Sequence, residues 1–159
     1  MKRTVLILGI LLSLGAIAFA DPGLVDYSSH GFTIRELTSA DSSENSIVLE
    51  MLLPPTDGFA ANLNVIIQHY NDTMAAYRKL TEEQIQKVGF TLIRSQIVDP
   101  NEIRMEYSGT QNGRELHWLQ RAVKSGSRVY LVTATALAAQ WDANSANLTG
   151  AVDSLRLTR

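Results

Sequence analysis

The segment Arg128 to Ala139, RVYLVTATALAA, constrains this chain most, because nearly every position is apolar or small. A strand covered on one face alternates apolar and polar residues, whereas a strand without alternation needs cover on both. This segment is therefore expected to be a central strand with material packed above and below it. The stretch Gly58 to Tyr70, GFAANLNVIIQHY, carries a milder form of the same signal. Its odd positions Leu63, Val65 and Ile67 face one side, and Asn62, Asn64, Ile66 and Gln68 face the other, with only Ile66 making the second face apolar. Wet ends and a dry middle describe a strand buried on both faces at its centre.

The other elements follow from period and punctuation. Asp21 to His30 is polar and reads as a loose lead-in. Phe32 to Leu37 alternates Phe32 and Ile34 with Thr33 and Arg35, the pattern of a half-buried strand. Ser39 to Ser46 is a hydrophilic turn, and Ile47 to Leu53 a second strand ended by Pro54-Pro55, which cannot donate to a ladder. Residues 73 to 88, TMAAYRKLTEEQIQKV, place Met74, Tyr77, Thr81, Gln84 or Ile85, and Val88 at spacings of three and four. That spacing predicts an amphipathic helix capped within Asn71 to Thr73 and stopped by Gly89, with Glu83 four residues before Lys87 in the favourable order for an ion pair. Phe90 to Val98, then Ile103, Met105 and Tyr107 with their alternating polar neighbours, then Arg114 to Lys124 read as strands. Asn112-Gly113 supplies the positive φ angles of a hairpin turn between the last two. Leu148, Val152 and Leu155 predict a closing helix from about Ser145 to Leu155.

The first twenty residues begin with Lys2 and Arg3, run apolar for 15 residues from Val5 to Phe19, and end in Ala18-Phe19-Ala20. This is the pattern of a secretory signal peptide, too short for the ~20 residues of a spanning helix. The expected product is exported, periplasmic or secreted, with no stable membrane span after cleavage. Past Ala20 it carries 12 basic against 16 acidic residues, a net charge of −4 without a basic stripe, which argues against nucleic acid as a partner. Its 139 residues suit one domain at 32–159 after a flexible lead-in at 21–31, and with no cysteine it folds without disulfides.

The order of strand, helix, antiparallel meander and terminal helix has two further marks: Phe59-Ala60-Ala61-Asn62-Leu63-Asn64-Val65, an F-x-x-N-x-N-V strand, and the tail Ser154-Leu155-Arg156. Over about residues 32 to 157 the chain resembles the PsbP-like superfamily. The resemblance implies an α+β fold, an antiparallel β-sheet flanked by helices on both faces in an α/β/α sandwich. It implies an accessory or binding role and carries no shared catalytic residues.

Chemistry-bearing patterns are sparse. His30, His69 and His117 show no i, i+4 or H-x-H spacing, thiol chemistry has no cysteine, and G-x-S-x-G and glycine-rich phosphate loops are lacking. No catalytic, cofactor or metal residue is assigned, and no cofactor is expected. The residues suited to a recognition surface are Tyr70, Tyr107, Trp118, Tyr130 and Trp141, aromatic bodies of which each carries a polar atom, although packing roles are the plainer account of the two tryptophans. The expected function is that of a non-enzymatic accessory or binding protein acting on an unknown protein or envelope component. A small-molecule or lipid carrier with a pocket between sheet and helix is the alternative, and a hydrolase a distant third.

Overall fold

The computed structural model describes residues 24–27, 31–35 and 46–158, so the expected leader at 1–20 and most of the turn at 39–46 lie outside it. Two compact units divide between Ala40 and Asp41. In the first, β1 (Leu24–Tyr27) pairs antiparallel with β2 (Phe32–Arg35), from Leu24 opposite Arg35 to Tyr27 opposite Phe32. The segment read as a loose lead-in thus contains a strand. Four residues are too few to display a period, and pairing defines the element.

The second unit holds β3 (Ser46–Leu52), β4 (Asn62–His69), α1 (Met74–Lys87), β5 (Thr91–Asp99), β6 (Glu102–Gln111), β7 (Arg114–Ser125), β8 (Arg128–Leu137) and α2 (Trp141–Asp153). The strands form one antiparallel sheet in the order β3-β4-β8-β7-β6-β5. The chain starts at one edge, crosses through α1 to the far edge, and walks back strand by strand until β8 pairs with β4. Val65 lies opposite Val132 and Ile66 opposite Leu131 in that closing pair. The all-apolar segment is therefore an interior strand, as its composition requires.

Both sheet faces are covered. On the first face Ile103, Met105, Tyr107, Trp118, Ala122, Val129 and Leu131 pack with Met74, Tyr77 and Ile85 of α1. On the second, Leu63, Val65, Leu119, Val132, Ala134 and Ala136 pack with Leu148 and Val152 of α2. Adjacent residues of β8 enter opposite clusters, so an unpatterned strand feeds two cores at once. The architecture is α+β with a helix on each face.

The ends of α1 follow the sequence closely. Thr73 Oγ1 accepts the Ala76 N–H at 3.2 Å. Beyond Val88, Gly89 has φ +80°, its N–H reaches Gln86 O at 3.0 Å and the Phe90 N–H reaches Ile85 O at 3.0 Å. This is a Schellman termination, which aims Phe90 back at the sheet. Two details differ from expectation. Val88 is exposed, and Glu83 pairs with Lys79 at 4.0 Å, beside an Arg78–Glu82 pair at 3.5 Å. Helix α2 starts four residues before the expected Ser145, because a 3-10 turn at Ala138–Gln140 runs directly into it without a side-chain cap. Only the buried pair Leu148 and Val152 left a period to read.

Candidate functional site

Among the described residues no three His, Asp or Glu side chains group to hold a metal ion. His117 Nε2 lies 2.9 Å from Glu106 Oε1 on the second face, and its ring stacks on Trp141 with centroids 3.8 Å apart. His69 is an exposed strand end, and His30 lies outside the described residues.

The five aromatics singled out by the sequence divide between the two faces. Tyr107 and Trp118 stack at 5.1 Å inside the first core, 8% and 6% exposed, with Phe90 stacked on Trp118 at 4.8 Å. Tyr70 joins that cluster at its margin, edge-on to Tyr77 at 5.1 Å, with Lys124 Nζ 5.7 Å from its ring. Lys124 also donates to the carbonyls of Tyr70 and Asp72, at 2.7 and 2.8 Å, fixing the loop that leads into α1. Tyr130 and Trp141 belong to the second face, Tyr130 by its register opposite Ile67 and Val123, Trp141 by packing on the α2 cluster. No single groove is lined by all five.

Alternation on the first face leaves polar residues between the apolar ones. Asn64 pairs with Thr133, and Thr133 with Gln120, so a polar row crosses β4, β8 and β7. Gln120 Nε2 donates to Thr133 Oγ1 at 3.4 Å, while Asn64 Oδ1 is buried without a hydrogen-bond partner. Asn62 differs: its Nδ2 donates to Ala60 O at 3.1 Å, satisfying backbone where the strand begins.

A groove of about 230 Å³ opens between α1 and this face. Tyr77, Gln84, Ile85 and Val88 form the helix wall, Phe90 closes one end, and Tyr107, Gln120 and Leu131 form the floor. The exposed Val88 is thus a rim residue. The Tyr77 hydroxyl donates to Gln68 Oε1, and the Thr81 hydroxyl donates to Tyr77 O at 2.9 Å. Burial raises the Tyr77 pKa to about 12, with a smaller contribution from Tyr70, and burial followed by Tyr77 raises that of Tyr107. Both phenols stay neutral donors around pH 7.

At the far end of the second face, Arg121 Nε and Nη2 each reach a Glu102 carboxylate oxygen at 2.9 Å. Its Nη1 donates to Asp153 O at 3.1 Å and Leu155 O at 3.2 Å, at the end of α2. Arg104 pairs with Asp153 beside it, and Arg156 donates to Asp153 O at 2.6 Å. The opening there is about 390 Å³, but the charges around it are engaged with each other and with the helix end, so the cluster reads as a clamp on α2.

The sheet edges differ in kind. β5 carries two bulges, at Ile93 and Val98, with Arg94 and Asp99 along it, devices that blunt an edge. β3 has one bulge, at Val48, and then a regular ladder from Leu49 to Leu52 opposite β4. Along it Ile47 and Leu52 are 67% and 62% exposed, Met51 is exposed as well, and Glu50 is the only charge. Met51 and Leu52 also border a crevice of about 150 Å³ against Leu148 and Ala151 of α2. Composition alone left these residues as ordinary strand positions.

No protein-family model matches the chain, and no curated protein matches it. Solved structures do. A candidate regulator of unknown function from Pseudomonas aeruginosa, PA94, is 16% identical, with 86% of this chain and 96% of that one covered and a TM-score of 0.60. LpqN, involved in cell envelope biogenesis of Mycobacterium tuberculosis, is 14% identical over 73% of this chain and 84% of that one, with a TM-score of 0.41. The cyanobacterial PsbP of Synechocystis is 15% identical over 94% of this chain and all 100% of that one, with a TM-score of 0.44. The first shares the fold across nearly its whole length.

Proposed function

We propose that the chain is an exported, non-catalytic accessory protein that binds an extended segment of a partner protein along β3. The observation that carries this reading is the outer side of β3, a regular apolar ladder at the end of the sheet among the described residues. An added strand would make main-chain hydrogen bonds, and side chains on alternate positions would meet Met51 on one face and Leu52 on the other. The crevice beside α2 would receive one apolar side chain of that strand. The leader-like start of the sequence supports export. The carrier alternative is weaker as the main role, since the groove beneath α1, at about 230 Å³, falls below the ~300–1,000 Å³ of pockets that enclose drug-sized ligands.

The test is co-purification from envelope extract with the chain starting at Asp21, comparing wild type with Leu52→Lys. A lysine there places a charge on the added strand's path while remaining solvated in the free protein, so folding is expected to be unchanged. The expected result is a partner band retained by wild type and lost by the variant at equal thermal midpoint. The same bands in both eluates, or none in either, would remove the edge as the functional surface.

A further inference from the structure

The groove between α1 and the first face is separate from the β3 edge, and its chemistry is specific. Among the described residues no charged side chain lines it. Ile85, Val88 and Phe90 make one wall apolar, and the floor presents the Tyr107 ring and the Gln120 amide. The Tyr107 hydroxyl makes no hydrogen bond to a protein group among the described residues, and it is not one of the fully buried unpartnered polar atoms, so it keeps contact with solvent. By contrast, the hydroxyls of Tyr77 and Thr81 in the same groove are both engaged. A hydroxyl that meets only solvent in the free protein can exchange that water for the polar group of a ligand. One buried oxygen without a partner, Asn64 Oδ1, lies on the same face in the row that contains Gln120, outside the groove lining.

We propose that this groove binds a small uncharged molecule that joins an apolar ring to a hydrogen-bonding group. The ring lies against Ile85, Val88 and Phe90, and the polar group meets the Tyr107 hydroxyl and the Gln120 amide. Size sets the scale: about 230 Å³ is of the order of a single-ring compound. Charge sets the sign: a neutral lining offers an ion no compensation for its lost hydration. This site holds or fails independently of strand addition at β3.

The experiment is protein-observed NMR titration of the chain from Asp21 onward with phenol, toluene and benzoate. Phenol is expected to give saturable shifts at amides of Tyr77 to Phe90, Tyr107 and Gln120. Toluene, without the polar group, and benzoate, with a charge, are each expected to bind at least several-fold more weakly. Tyr107→Phe removes one hydrogen bond and is expected to weaken phenol by about three- to tenfold. Gln84→Trp puts a large ring at the exposed mouth of the groove and is expected to abolish the shifts; it decides alone if Tyr107→Phe does not fold. The proposal is overturned if phenol gives no saturable shifts, if its shifts survive Gln84→Trp, or if toluene binds as well as phenol and Tyr107→Phe changes nothing.

Discussion

A methyl group at Gly109 would stand 2.3 Å from the Phe90 ring, which lies over that residue. The ring is also stacked on Trp118 and held by the turn that ends α1, so it has little room to yield. Gly109→Ala is therefore expected to destabilise by about 1–3 kcal/mol, read as a shift in urea midpoint. In a Phe90→Leu background the same change is expected to cost much less, and equal costs in both backgrounds would refute the clash. The tyrosines give a second measurable consequence. Tyr77 is neutral and buried, with its pKa raised from 10.0 to about 12. The unfolded chain releases that proton near pH 10 and the folded chain holds it, so this stabilisation is complete below about pH 10 and drains as pH rises to about 12. The loss is about 2–3 kcal/mol, and denaturation midpoints across that range, compared with Tyr77→Phe, would measure it. A variant that loses stability just as steeply would rule out Tyr77 as the source.

At the scale of elements, each helix is fastened to the sheet at an end by one cation. Lys124 holds the entry to α1 through two carbonyls, and Arg121 holds the end of α2 while both of its remaining nitrogens engage Glu102. Arg121 and Glu102 are each 14% exposed at the side chain, so removing the cation strands a carboxylate in a poorly solvated place. Arg121→Met is expected to cost about 3 kcal/mol and to speed hydrogen exchange in the last turn of α2. Adding Glu102→Leu is expected to restore most of the stability without slowing exchange in α2, which separates the stranded charge from the lost clamp. The two helices were unequally legible. Thr73, the repeat of Met74, Tyr77 and Ile85, and Gly89 spell out α1 locally, whereas α2 begins without a capping side chain and shows only two buried positions. Val88 fits the helical repeat and still lies at a groove rim, since the repeat fixes a direction and says nothing of what stands opposite.

For the whole molecule, the return path of the chain matters most. β5 to β8 form a run of neighbouring hairpins, and β4 joins only when β8 arrives, about sixty residues after β4 ends. β7 and β8 are interior strands bordered by both clusters, while β3 has one neighbouring strand among the described residues and open apolar side chains. Native-state hydrogen exchange is expected to be slowest in β7 and β8 and fastest in β3, with β4 between them. Exchange in β3 as slow as in β8 would show that its outer side is covered, and the proposed partner surface would go with it.

What the sequence by itself determined is the run of elements from β3 to α2 and the need for cover on both sides of β8. Both follow from backbone periods of two and 3.6, which any short window of residues displays. RVYLVTATALAA has no wet face, so no one-sided sheet could accommodate it. Tertiary structure alone decided the order of the strands, the twice-bulged edge at β5 against the once-bulged one at β3, the division of the five aromatics between two faces, and the groove under α1. These depend on which distant segments pair and on where a capped helix end directs Phe90. They are properties of contacts across tens of residues, and no local period encodes them.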